Sequence, residues 1–200
     1  MGSLEIIMGP MFSGKTEMLI KKYNTVLELD LDTMFNHTNV VAYNYYKDTR
    51  YGNDKIVSHN GKSINSTNIK TLSQIFDDTN KLINYTHIFI NEAQFFSDLK
   101  ECVIKLVEEY NKHVIICGLD CDYKRDKFGD MWDLIPYADS IVKLKGICNI
   151  CSNPSLFTHR ITREKEQEII GNDNYEPLCR ICYKNKTNCI NDNVSVSISK

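Results

Sequence analysis

The octapeptide GPMFSGKT, residues 9–16, restricts the fold of this chain more than any other stretch. It fits the phosphate-binding pattern G-x-x-x-x-G-K-[ST], which works only where a strand ends and a helix begins. That context is present on both sides. An apolar segment from Leu4 to Met8 leads into Gly9, and the following KTEMLIKKYNTVLEL carries Met18, Leu19, Tyr23, Val26 and Leu27 at helical spacing. Gly9, Pro10, Met11, Phe12, Ser13, Gly14, Lys15 and Thr16 can therefore wrap phosphates with backbone N–H groups and a helix N-terminus. Lys15 is placed to reach the outer phosphates, and the Thr16 hydroxyl to ligate Mg²⁺. The alternative is a glycine-rich turn with a chance lysine.

Local binding of this kind matters because the chain has no global field to gather anions. Lys and Arg total 24 against 26 Asp and Glu, for a net charge of −2. With 200 residues and 42% hydrophobic content, the chain can bury one sizeable core and carry a small appendage. No apolar run approaches the roughly 20 residues of a membrane span. The opening MGSLEIIMGP lacks the features of a signal peptide, and Ile6 breaks the myristoylation pattern. The expected address is cytoplasmic.

Short apolar strands alternate with helical patterns along the first 145 residues. TNVVAYNYY and HIFIN read as strands, as do HVIICGLD and ADSIVKL, while Leu99, Val103, Leu106, Val107 and Tyr110 form a helical stripe. DKIVSHNGKSI has the Asn60-Gly61 signal of a hairpin. This alternation predicts an α/β fold, a P-loop NTPase-like (RecA-like), mostly parallel sheet flanked by helices. The character changes near Gly146, which divides the chain into a nucleotide-binding domain at 1–145, a small module at 146–187 and a polar, flexible tail at 188–200.

The strand HIFIN runs into NEAQFF, which places Asn91 and Glu92 at its mouth. In P-loop proteins a strand near the loop commonly ends in an acid that holds the metal or its water. Asn91 stands at that kind of position and Glu92 follows it. Neighbours on a strand point to opposite sides, so the two share a site only if the strand has already ended. A carboxylate within reach of an acceptor hydroxyl can take its proton during transfer, and Glu92 is the candidate. The alternative is a solvated glutamate at a strand end.

Eight cysteines in a reducing compartment call for an explanation other than disulfides. Cys148/Cys151 and Cys179/Cys182 form two CxxC pairs, 28 positions apart at their nearest members. Four thiolates so spaced suit a closed, structural Zn²⁺ site that stabilises a module too small for its own core. A redox CxxC or unrelated buried thiols are the alternatives. Cys102 and Cys117 read as small core residues.

In combination, GPMFSGKT, KDTRYG, NEAQFF, GLDCDYKRDKFG, LIPYADSIVKLKGIC, TREKEQEIIGNDNY and the closing CRIC resemble the thymidine kinases of animal cells and poxviruses, often called type II. The resemblance runs from Leu4 to about Lys186. It implies transfer of the ATP γ-phosphate to the 5'-hydroxyl of thymidine. It also implies a zinc-binding lasso module, a homotetramer and feedback inhibition by dTTP. On this chain the resemblance puts the donor phosphates at residues 9–16. Asp48, Thr49 and Arg50 then order the same end of the site, with Arg50 spreading charge on the transferred group.

The resemblance further implies that Glu92 is the proton acceptor and that Gln94 lies at the nucleotide end of the same segment. Phe95, Tyr123 and Phe128 enclose the thymine ring. Tyr123 stands where relatives usually carry phenylalanine. Gln167, Glu168, Ile169, Ile170 and Gly171 match the lasso that reads the base through backbone groups, and Tyr175 helps to hold the nucleoside. The segment between Gly171 and Tyr175 is one residue shorter than in animal relatives.

Asn91 departs from the family, where many relatives have Asp. An amide keeps an acceptor oxygen but loses the charge, which predicts a larger Mg²⁺ requirement than in an Asn91→Asp variant. Three other readings stand beside the kinase. One is a catalytically impaired sensor that binds dTTP. Another is a zinc-ribbon P-loop ATPase acting on nucleic acid, against which the absence of a basic, aromatic-rich face counts. The third is a kinase of the same fold with altered base preference, although backbone readout favours thymidine and deoxyuridine over deoxycytidine.

Overall fold

The structure is a computed structural model that describes residues 1–31, 39–48, 52, 54–162, 164, 166–167 and 173–195. In chain order the elements begin with β1 (Ser3–Gly9), α1 (Lys15–Leu31), β2 (Val40–Tyr45), β3 (Lys55–Val57), β4 (Ser63–Asn65), β5 (Thr67–Ile69), α2 (Thr79–Asn84) and β6 (His87–Ile90). They continue with α3 (Leu99–Glu108), β7 (His113–Leu119), β8 (Ser140–Lys143), β9 (Gly146–Ile147), β10 (Pro154–Ser155), β11 (Phe157–Arg160), β12 (Tyr175–Leu178) and α4 (Arg180–Ser195).

Six strands form the central sheet in the order β5-β2-β6-β7-β1-β8, and every pairing in it is parallel. Successive side chains of a strand face opposite sides, so each central strand feeds two cores. Ile88 and Ile90 of β6, with Val114 and Ile116 of β7, pack against Val103 and Leu106 of α3. Phe89 and Ile115, from the alternate positions, meet Ile7 of β1 and Leu19 and Ile20 of α1. Burial on both faces explains why these strands read as unbroken apolar runs.

The Asn60-Gly61 hairpin forms as β3 and β4, with Gly61 at φ 80°. Strand β5 has no such local mark in TNI, and its place is set by pairing with β2. Beyond Gly146, the ribbons β9/β10 and β11/β12 are antiparallel and share a small core of Cys148, Leu178, Cys179 and Tyr183, with Phe157 and Cys182 against it.

Helix α4 runs on through 188–195, where polar composition suggested a flexible tail. Its first turns are held by Tyr183 in that core, and elongation from a packed start adds one bond per residue. Residues 196–200 lie outside the described ones. Among the described residues, no helix is long and apolar enough to cross a membrane.

Candidate active site

The carboxyl ends of parallel strands are where α/β sheets build crevices, and here β1, β6 and β7 contribute to one. The loop after β1 passes so close to the chain after β8 that a Cβ on Gly9 would lie 2.7 Å from the Leu144 carbonyl oxygen. Lys15 Nζ curls over the loop and donates to the Pro10 carbonyl at 2.8 Å. From the small module, Thr158 Oγ1 accepts a bond from the Met11 N–H at 2.9 Å. The helix start carries Thr16, whose hydroxyl donates to Asn91 Oδ1 at 3.5 Å.

At the end of β6 the strand alternation stops. Glu92 adopts the left-handed region (φ 53°, ψ 40°), and the turn at Ala93–Phe95 follows. This reversal lets Asn91, which is buried, and Glu92, which is half-buried, line the same cleft as Lys15 and Thr16. A glutamate held at positive φ is strained, and strain of this kind persists where surrounding contacts fix it. Gln94 supplies those contacts. Its Nε2 donates to Glu92 Oε2 at 2.8 Å, and its Oε1 accepts from the Leu119 N–H of β7 at 3.0 Å. Gly129 (φ 59°) permits the close approach that seals Gln94 in, since a Cβ there would sit 2.2 Å from the Gln94 carbonyl oxygen.

Asn91 is bonded on both sides. Its Oδ1 also accepts from the Cys117 thiol at 3.0 Å, and its Nδ2 donates to Asn44 Oδ1 at 2.9 Å. Burial pushes the Cys117 thiol up to about 12, so it remains a protonated donor. Asn44 in turn donates to the Asp48 carbonyl at 3.4 Å and to Asp48 Oδ2 at 3.3 Å.

The other end of the cleft is aromatic. Phe95 and Phe128 meet edge to face at 5.3 Å, and Tyr45 stacks on Phe95 at 5.1 Å. Tyr123, Gln167 and Tyr175 line the same cleft. Gln167 Nε2 donates to Asp122 Oδ2 at 3.0 Å and to the Lys127 carbonyl at 3.1 Å. Asp122 Oδ1 accepts the N–H groups of Lys124 and Asp126, so one buried carboxylate shapes the turn that carries Tyr123 and ties it to Gln167. Tyr183 of α4 donates its hydroxyl to the Tyr123 carbonyl at 2.6 Å.

The four sulfur atoms of Cys148, Cys151, Cys179 and Cys182 lie within 4.8 Å of one another. Cys151 is 3.5 Å from Cys179 and 3.6 Å from Cys182. Tetrahedral zinc with bonds of about 2.3 Å requires sulfurs about 3.8 Å apart, so the cluster has the dimensions of such a site.

A sequence model of thymidine kinases matches residues 2–183. The chain belongs to the thymidine kinase family. It is 39% identical over 185 residues to a thymidine kinase of Oryza sativa, covering 91% of this chain and 66% of that protein. It is 36% identical over 190 residues to a thymidine kinase of Amsacta moorei entomopoxvirus, covering 92% and 98%. A thymidine kinase of sheeppox virus is 33% identical over 186 residues, covering 91% and 97%. The chain thus spans just under two thirds of the rice relative and nearly all of the two poxvirus ones.

In this thymidine kinase family member, one cleft gathers the residues from Met11 to Thr16, Asp48, Asn91, Glu92 and Gln94, along with Phe95, Phe128, Tyr123, Gln167 and Tyr175. Thr49, Arg50, Glu168, Ile169, Ile170 and Gly171 lie outside the described residues. Sequence reasoning passed over Tyr45, Asn44, Asp122 and Arg160. Tyr45 offered a signal, an aromatic at the end of a strand that leads toward the site. The others are polar residues that no local motif marks.

Proposed function

We propose that this chain transfers the γ-phosphate of ATP to the 5'-hydroxyl of thymidine, and of deoxyuridine, giving the monophosphate and ADP. The observation that carries the reading is that Glu92 is held in the same cleft as the phosphate loop, with an aromatic pocket beside it. The 5'-oxygen attacks the γ-phosphorus, the bond from that phosphorus to the bridging oxygen breaks, and the 5'-hydroxyl proton passes to Glu92.

Residues 9–16 hold the donor phosphates, and Asp48, Thr49, Arg50 and Asn91 order the same end. Mg²⁺, held by Thr16 and the phosphates, supplies neutralisation of the charge that develops there. The convergence of the Thr16 hydroxyl and the Asn91 amide oxygen fits an oxygen-ligated cation. Phe95, Tyr123 and Phe128 bury the base, while Gln167 and the following residues to Gly171, with Tyr175, close over the nucleoside. Zn²⁺ on the four cysteines holds both ends of that segment within the module at 146–187, apart from the nucleotide-binding domain at 1–145. We further infer a cytoplasmic homotetramer inhibited by dTTP, whose base fits the same pocket.

Incubation with Mg²⁺ and γ-labelled ATP tests the reading. Label should pass to thymidine and deoxyuridine and not to deoxycytidine or deoxyguanosine, and Glu92→Gln should lower the rate by roughly two orders of magnitude or more. Tight dTTP binding with no labelled nucleoside would replace the kinase with a sensor.

A further inference from the structure

The amide at position 91 is one half of a buried pair, and its partner has no role in the site described so far. Asn44, on β2, is 1% exposed, and Asn91 is 2% exposed. Nδ2 of Asn44 serves Asp48, which leaves only its Oδ1 to face Asn91. Residue 91 must therefore present a donor toward β2 and an acceptor toward Cys117 and Thr16. An amide has both and a carboxylate has only acceptors. We propose that Asn44 is a positioning residue for the phosphate and metal end of the site. It fixes the Asn91 amide with its oxygen toward Thr16, and it joins Asp48 to the same network.

This inference rests on the kinase reading and changes one expectation drawn from sequence. The single replacement Asn91→Asp sets a carboxylate against Asn44 Oδ1 in a buried place. Turning the Asn44 amide over moves the conflict to Asp48, because Oδ1 then meets the Asp48 carboxylate and carbonyl. Unmatched buried acceptors are costly, so Asp at 91 gains nothing unless residue 44 offers donors alone. Lysine does so, with three N–H groups and no acceptor. The identities at 44 and 91 are coupled.

The test is a double-mutant cycle of the wild type, Asn91→Asp, Asn44→Lys and the paired variant. It reads the melting temperature of the protein without nucleotide and the affinity for Mg²⁺·ATP by equilibrium dialysis. Each single change should weaken Mg²⁺·ATP binding by roughly tenfold. The pair should recover most of that loss, together with the melting temperature. Additive effects in both readouts would overturn the proposal. Coupling in melting temperature alone, with affinity unchanged in the single variants, would also overturn it by reducing Asn44 to a purely structural role. Thymidine phosphorylation by the wild type is measured alongside. Its absence with the coupling intact would remove the kinase reading and leave Asn44 as a positioning residue for Mg²⁺·ATP.

Discussion

A single guanidinium organises the edge of the aromatic end of the cleft. Arg160 is 4% exposed. Its Nη1 donates to the carbonyls of Glu164, at 3.1 Å, and Glu166, while Nη2 donates to the Gln167 carbonyl at 3.1 Å and the Tyr175 hydroxyl at 2.5 Å. Its Cζ lies 3.8 Å from the Tyr123 ring centre and 5.0 Å from that of Tyr175. Lysine keeps the charge but has neither the fork nor the flat face. Arg160→Lys should therefore raise the Michaelis constant for thymidine by roughly tenfold, with that for ATP changed less than about threefold. Equal rises for both substrates in steady-state kinetics would show that the arginine supports the whole cleft. Nothing in FTHRI announces this residue. The places of Glu92 and Lys15 in the cleft were legible because both sit inside local motifs, whereas the contact of Arg160 with Tyr175 forms only once β11 and β12 pair.

Elements divide in the same way. Strands β1, β6 and β7 and helices α1 and α3 were readable, since the strands are apolar runs long enough to mark themselves and the helices carry apolar stripes that pack on the sheet. Strand β5 and the ribbons beyond Gly146 are only two to four residues long and depend on partners for their existence. What holds the ribbons is the cysteine cluster and the Tyr183 core. Stripping metal with a chelator should raise the thymidine Michaelis constant before ATP binding is lost, because β11 and β12 carry Arg160 and Tyr175 while the phosphate loop keeps its sheet. ATP binding followed by fluorescence during chelation checks this, and simultaneous loss of both would mean global unfolding.

At the scale of the whole molecule, the amino ends of the strands carry a different chemistry. His87 and His113 lie on neighbouring strands with their rings stacked at 4.8 Å. Burial, then the nearby His113, lowers the His87 pKa below its ordinary 6.5, and Glu5 opposes this only in part. Folded His87 therefore binds a proton more weakly than the unfolded chain does. Its contribution to stability is complete above 6.5 and is lost as pH falls through 6.5 toward the folded value. Buried His159 is lowered in the same direction, chiefly by desolvation. The urea midpoint should fall between about pH 7.5 and about pH 5.5, and His87→Phe should reduce that fall without abolishing it. An unchanged slope in the variant would assign the loss elsewhere.

The order of strands also sets a length. Glu92 follows β6, the phosphate loop follows β1, and β7 alone stands between them. Gln94 ties the Glu92 carboxylate to the backbone of β7. Two strand spacings, about 9.6 Å in all, thus separate the strands that launch the phosphate loop and the carboxylate. The sheet is a ruler that loop substitutions can bend around but cannot lengthen, so the span between the loop and the carboxylate belongs to the most deeply buried part of the molecule.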